Sequence, residues 1–470
     1  MEVKRMATPG KTKALYFIGK FMFSLFVGIE MYYFSAYLTD AALLPVAIVG
    51  LVLNIPSVVD LIFSFLNGAI LEKLHLPFGK YRFWLYVGPV IATITYALCF
   101  VRLDDDWHCG LMIIISLIVA HFVWSMAETA YNALPTLVTD DVAERSSLSM
   151  LFGTAANWSG ALIGLIVMPV ISAFNGMTNS TTMGYMLFVI VSGILYIIAF
   201  VLLGMNIKEA EAADAAQKLA SGGAQAAKGP SVKAMISNVT KNGPLICILF
   251  YNLFFFTGIF TQSLTMFYYF QYTLGALALM GITMTLRSVA TMVTTFIYPI
   301  AMKLFKGNKK NVMIFAGVVN IVYMLAMWAL RPGPVVFIVC TMISAVIGGI
   351  SNMPAIAIYG DCASYGEWKT GVDCKAFVMS LYNVPVKVGL LVKGVIVAAI
   401  LGIIKYDATI TDPVILESYA TGFNNGYMLL GAVVGIISLL ILIFGYHLNE
   451  EKVAQCVAET EARKRGQAQE

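Results

Sequence analysis

The stretch MGYMLFVIVSGILYIIAFVLLGM, residues 183–205, runs for 23 residues without one charged side chain. About 20 mostly apolar residues in a helix cross the hydrocarbon of a bilayer, so this segment alone predicts a membrane span. Working outward, runs of the same character recur along the chain. Twelve spans are expected, at 14–38, 46–71, 83–101, 110–138, 148–173, 183–205, 244–273, 279–302, 312–330, 335–360, 376–404 and 423–447. The runs are continuously apolar, whereas barrel strands alternate and last about 10 residues, so the spans are helices. The expected fold is an all-α integral membrane protein whose transmembrane helices form two six-helix bundles, 1–205 and 244–449. A linker at 206–243 and a tail at 450–470 complete the chain.

Composition agrees. Of 470 residues, 59% are apolar and 12% charged, about half the charge of a soluble globular protein. A two-domain soluble enzyme is thereby excluded. The net charge of +4, from 30 Lys and Arg against 26 Asp and Glu, is too balanced to suggest a nucleic-acid partner. Seven cysteines contain no CxxC pair, so neither a disulfide framework nor a metal site is implied, and no cofactor beyond a coupling ion is expected. His75, His108, His121 and His447 are scattered, and no HExxH, GxSxG or P-loop occurs. An intramembrane enzyme therefore has no chemistry to run on. The basic stretch Met1–Lys13 leads into an apolar run with no small-residue cleavage site, which reads as a first span and not as a cleaved signal peptide.

Orientation follows from the basic residues. Segments on the side of the N-terminus hold 23 Lys and Arg, and the opposite side holds only Arg102, Arg331 and Lys405. The positive-inside rule then places both termini in the cytoplasm of a multi-pass protein of the cell's inner membrane. Lys20, Arg287, Lys387 and Lys393 are left within spans. The linker contains AEAADAAQKLASGGAQAAKGPS, a low-complexity stretch dividing six spans from six. Each half carries a basic loop after its second span, LPFGKYRFW and LFKGNKKNVM. Duplicated transporter halves look like this, with the substrate near mid-membrane, and the expected working unit is a monomer.

The stretch YGDCASYGEWKTGVDCKAFVMSLYNVPVKVGLLVKGVIVAAILGIIKY, residues 359–406, resembles the glycoside-pentoside-hexuronide:cation symporter family. That family carries D-x-x-D-Y-G-E-x-K-x-G after span ten and a Lys followed by Gly in span eleven, here Asp361 to Gly371 and Lys387 with Gly389. YLTD at 37–40, FGKYRFW at 78–84 and LPTLVTD followed by ER at 134–145 extend the likeness along nearly the whole chain. The resemblance implies a major-facilitator fold and uptake of a sugar or glycoside driven by H+ or Na+. On the span-ten loop, Asp361, Tyr365, Glu367 and Lys369 become the candidate cytoplasmic gate. Departures are as informative. Where the family has a sugar-binding aspartate in span one, this chain has Ser24. Of the two cation-site carboxylates in span two, Asp60 remains and Ser64 replaces the other. The span-four carboxylate position is Ala127, with Glu128 beside it. In the span-ten loop the second Asp is Ser364, and Asp373 and Lys375 follow. Neither sodium selectivity nor galactoside recognition carries over.

An ionisable side chain at mid-bilayer costs about 3 to more than 10 kcal/mol, so those present face a cavity or one another. Lys387 stands on a polar stripe with Ser380 and Asn383, and either faces the cavity or pairs with a carboxylate. Asp60, with Ser64 and Asn67 at i+4 and i+7, is a candidate cation or proton carrier. Asp60, Ser64, Glu128 and Lys387 form the candidate coupling set. In span four, His121, Trp124, Ser125, Glu128 and Asn132 share one face. Glu128 suits sugar hydroxyls, Trp124 offers a flat surface for a sugar ring or simply packs, and Tyr131 joins them as a binding candidate. His121 makes a helix–helix hydrogen bond or relays a proton. Glu30 precedes Tyr33 and Tyr37 on span one as an interfacial acid or a cavity group. Arg287, flanked by Thr283 and Thr291, pairs with a helix carboxylate or holds an anionic substrate. Span seven adds Asn252, Gln262 and Tyr268, whose neutral groups both donate and accept, and Asn383 completes the substrate set with Arg287 and Lys387. Gly160 and Gly164 in span five, and Gly348 and Gly349 in span ten, allow close helix approach. A proton-coupled exporter of amphipathic compounds and a non-transporting substrate sensor are the competing readings.

Overall fold

The computed structural model describes residues 9–73, 77–139, 142–213 and 232–467. Every regular element among them is helical. Among the described residues, eleven helices are long and apolar enough to cross a membrane. Arg82–Leu98, with 17 residues, supplies the remaining span, since at 1.5 Å per residue it reaches about 25 Å. Spans one to six are Gly10–Tyr32, Val46–Lys73, Arg82–Leu98, Asp106–Val138, Val142–Thr178 and Met183–Asn206. An amphipathic helix, Val232–Lys241, precedes span seven at Gly243–Tyr268. Spans eight to ten are Ala278–Leu304, Lys309–Leu330 and Pro334–Asn352. Span eleven is Asn383–Ile403, and span twelve runs from Pro413–Asn424 into Leu430–Gly445. A terminal helix, Glu450–Gln467, follows. Large apolar side chains such as Ile62, Ile198 and Phe296 stay exposed, as a lipid-facing surface requires, while Phe26, Tyr33 and Tyr196 are fully buried. Of the linker expected at 206–243, residues 214–231 lie outside the described residues.

Two boundaries depart from expectation, each at a proline. The segment from Asp361 to Gly371, expected as a loop, is helical: Ala355–Thr370 follows a break at Met353 and Pro354. Pro354 lacks the N–H that would continue span ten. The new helix stops at Gly371, whose φ of 72° suits a residue without Cβ. Span eleven, expected to be continuous over 376–404, is split into Lys375–Ser380 and Asn383–Ile403. Pro385 cannot donate to the Leu381 carbonyl, and its ring would press on that oxygen. The stripe expected through Ser380, Asn383 and Lys387 is therefore broken, with Ser380 bonded to the Phe377 carbonyl at 2.7 Å on the short helix.

The chain packs as two compact units. One comprises Met1–Ala224, Met266–Val289 and Gly394–Tyr419; the other comprises Gln225–Thr265, Ala290–Lys393 and Ala420–Glu470. In the first unit the ends of spans one and seven repeat one backbone device. Each closes in a π turn, Tyr37–Ala41 and Tyr269–Thr273. In one, Ala42 N donates to Tyr37 O and Leu44 N to Leu38 O; in the other, Leu274 N donates to Tyr269 O and Ala276 N to Phe270 O. The residue that reverses the chain has positive φ in both, 53° at Leu43 and 58° at Gly275. The two turns thus share one backbone hydrogen-bond pattern, each opening on a tyrosine. Also in this unit, spans five and eight cross at Gly164 and Gly281, where a Cβ on either glycine would strike the carbonyl oxygen of the other. The Thr285 hydroxyl donates to the Ala161 carbonyl at 2.7 Å beside this crossing.

Candidate functional site

Spans one and four of the first unit run antiparallel and meet through side chains in one continuous register. At one end the Tyr131 ring stacks on Tyr16 with centroids 4.4 Å apart, and its hydroxyl donates to the Tyr16 carbonyl at 2.5 Å. Next along the seam, the Lys20 ammonium donates to Glu128 at 2.8 Å. It also lies 4.0 Å from the Phe152 ring centroid and 4.9 Å from that of Phe23. The quadrupoles of these rings help to solvate a charge removed from water. Trp124 packs edge-on to Phe26 and Tyr96 and faces the His121 ring with centroids 4.6 Å apart. Beyond it, His121 Nε2 is 3.0 Å from Glu30.

The face expected in span four is thus assembled: His121, Trp124, Ser125 and Glu128 all point into the bundle, whereas Asn132 is exposed. Accessibility along it is uneven. Lys20 has a side-chain exposure of 9% and Glu128 33%, so the carboxylate is the open end of the pair. Trp124 and Tyr131 are largely enclosed by their neighbours. Ser125 accepts a 2.7 Å hydrogen bond from Asn67 of span two. Asp60 lies half-buried two turns before Asn67, and Arg287 is half-buried on span eight of the same unit. The side chain of Ser64 falls outside the described residues.

Tyr268 takes a different position. It is fully buried and hydrogen-bonds Thr39 at 2.8 Å, next to a clasp just beyond the end of span one. There Asp40 accepts from Thr39 at 2.6 Å and from Tyr406 at 2.8 Å, and Tyr406 meets Tyr272 at 2.8 Å. Three tyrosines and a carboxylate thereby tie the YLTD motif to the segments that follow spans seven and eleven.

In the second unit Asn252 donates to Tyr359 at 3.1 Å. Gln262 donates to the Tyr427 carbonyl at 3.2 Å in the π turn of span twelve. Lys387 is half-buried and Asn383 exposed on span eleven, one turn apart, and Lys393 on that helix is buried. Of the residues expected to form a gate, Asp361 pairs with Lys309 at 2.5 Å, and the Lys369 ammonium stands 5.5 Å from the Tyr365 ring centroid. Glu367 shares their helix. Trp368 on that helix donates to Glu459 of the terminal helix at 2.6 Å.

The sequence marks Lys20 only as a cation within a span and assigns no role to Lys20, Asp40 or Tyr406. Lys20 carried a signal, being an ammonium inside an apolar run. Asp40 and Tyr406 have only the motif and an unremarkable loop.

Known proteins agree with this architecture. Residues 15–450 match the family described as MFS/sugar transport protein, and the chain belongs to that family. It is a multi-pass membrane transporter of the major-facilitator fold and not an enzyme. It is 23% identical over 409 residues to the isoprimeverose transporter of Lactiplantibacillus pentosus, covering 85% of this chain and 81% of that one. It is 24% identical over 442 residues to the glucuronide carrier protein homolog of Escherichia coli K12, covering 92% of each. The inward open xylose transporter XylE from E. coli superposes with a TM-score of 0.63 at 11% identity, covering 95% of this chain and 98% of that one.

Proposed function

We propose that this protein imports a sugar or glycoside across the cell's inner membrane by symport with H+ or Na+, as a monomer working by alternating access with both termini in the cytoplasm. Relatives named for isoprimeverose and for a glucuronide support the substrate class, and the skewed distribution of Lys and Arg supports the orientation. The observation that carries the reading is the Lys20–Glu128 pair. A carboxylate inside an apolar bundle, neutralised by one ammonium and one-third open, is an acceptor for sugar hydroxyls that needs no further charge to be buried. Asp60 and Glu30 supply further intramembrane carboxylates on which a cation could act, and Arg287, Lys387 and Lys393 further intramembrane positive groups.

The test is uptake into proteoliposomes of labelled isoprimeverose, xylose and a methyl glucuronide under imposed H+ or Na+ gradients. Accumulation above the external concentration with one gradient and not without it is the expected result. Equilibration that ignores both gradients would remove symport, and movement of none of the sugars would remove the substrate class.

A further inference from the structure

We propose that Asp40 and Tyr406 are the outer latch of this transporter, a hydrogen bond that must break before the substrate path opens away from the cytoplasm. The inference rests on the alternating-access reading and its orientation. With the termini in the cytoplasm, the chain emerges on the outer side after every odd-numbered span, so the turns after spans one, seven and eleven all lie there. Asp40 is in the first of these turns, Tyr272 in the second and Tyr406 in the third. The bond from Tyr406 to Asp40 therefore ties the two sequence halves together across 366 residues. Its setting agrees: the compact unit that holds spans one to six also includes Met266–Val289 and Gly394–Tyr419, the outer ends of spans seven, eight, eleven and twelve.

The latch has a braced arm and a strained catch. The Tyr406 ring lies 5.4 Å from Tyr268, 5.7 Å from Tyr272 and 5.2 Å from Tyr419, centroid to centroid. Tyr419 fixes the backbone on either side of it, accepting from Asp407 N at 2.9 Å and donating to the Lys405 carbonyl at 3.2 Å. On the other side, Asp40 Oδ1 accepts from Tyr406 at 2.8 Å and from Thr39 at 2.6 Å. Asp40 sits in a π turn, a backbone form that concentrates at functional sites. The turn leads to Leu43 at a φ of 53°, a conformation that a residue with Cβ holds mainly in ligand clamps and switch segments. Bonds of this kind can be exchanged for bonds to water when the rim opens, so opening strands no polar group. Deeper in the unit, about two helical turns before Asp40, Tyr33 of span one donates to Met284 Sδ of span eight at 3.6 Å. Beside it Thr285 donates to the Ala161 carbonyl of span five. These joints lie behind the latch and are uncovered when it opens.

The test reads thiol labelling and needs no sugar, so it stands whatever the uptake experiment returns. A membrane-impermeant maleimide is added outside right-side-out vesicles, and mass spectrometry of peptides locates each label, so the native cysteines stay in place. Met284→Cys is the reporter, and Thr285→Cys is a second one that covers failure of the first to fold. Labelling tracks the population of the open form. Tyr406→Phe is expected to raise the rate at either reporter about fivefold or more, the shift that follows from losing one hydrogen bond to a carboxyl oxygen. Tyr272→Phe, which leaves the Asp40 bond in place, raises it less. An unchanged rate in Tyr406→Phe overturns the proposal. So does a parallel rise at Cys99, which is buried against the Ile113 carbonyl of span four and is uncovered by unfolding, not by a gate. Thr411→Cys, exposed after span eleven, reports the orientation. Its labelling only in inverted vesicles overturns the orientation instead, and the rise at the reporter, sought from that face, then decides the latch.

Discussion

Lys20 on span one and Glu128 on span four, 108 residues apart in sequence, hold each other at 2.8 Å in the middle of an apolar bundle. Taking two such charges from water costs several kcal/mol each, and only a well-made pair recovers it. Removing one partner is therefore worse than removing both. Lys20→Met is expected to lower stability by about 2 kcal/mol, below the range for fully buried pairs because Glu128 is one-third open. Lys20→Met combined with Glu128→Gln is expected to regain most of that loss while transport stays absent. Thermal unfolding and sugar uptake on the two variants check the pattern. A double variant that transports would show that the carboxylate does not touch substrate.

The crossing of spans five and eight leaves no room for a side chain at Gly164 or Gly281. The obstruction is backbone, which cannot rotate aside as a flexible side chain can. Gly164→Val is expected to cost about 1 to 3 kcal/mol through forced separation of the helices. Gly160→Ala is the contrast, because its Cβ would meet only the Ser288 hydroxyl at 3.2 Å, and it should stay close to the unsubstituted protein. Unfolding midpoints of the two variants measured side by side settle the difference.

These contrasts show what the sequence could and could not convey. The spans were legible because hydrophobic length is a local property, and the shared face of His121, Trp124, Ser125 and Glu128 was legible because a helix has a fixed period. The partners were not. Nothing in span four says that Glu128 meets Lys20 and His121 meets Glu30, because the register between two helices depends on packing that no single periodicity records. Tyr268 illustrates the opposite difficulty: its polar group suited a sugar, yet it bonds Thr39 beside the Asp40 clasp. The residues from Asp361 to Gly371 are expected as a loop because the family likeness implies one after span ten, whereas Gly366 in fact brings the helix Ala355–Thr370 close to Asn238 and Asn242.

The clasp gives a third prediction. Tyr406 donates to Asp40 and in turn meets Tyr272, so Tyr406→Phe takes a charge-assisted hydrogen bond from a largely enclosed carboxylate. A loss of about 1 to 3 kcal/mol is expected. Tyr272→Phe removes bonds between neutral groups, with the Tyr406 hydroxyl and from the Gln271 amide, and should cost about 1 kcal/mol or less. Chemical denaturation of both variants would show this order, and equal losses would mean that the ring contacts, and not the carboxylate, carry the clasp.

The terminal helix is expected to dock in a pH-dependent way. Glu459 accepts from Trp368 Nε1 at 2.6 Å and from Gln455 at 2.7 Å, and the Trp368 bond foremost holds its carboxyl below the ordinary value of 4.5. A carboxyl whose pKa is lowered on docking binds fewer protons docked than free. Its contribution is therefore complete above 4.5 and fades as the pH falls through the lowered value. Hydrogen exchange of Glu450–Gln467, corrected for the intrinsic rate at each pH, should show protection at neutral pH that weakens on acidification below 4.5. Trp368→Phe should expose the helix at neutral pH and flatten that dependence, whereas the same acid-sensitive protection in the variant would place the docking energy on Arg463, which donates to the Trp368 carbonyl, and not on the indole.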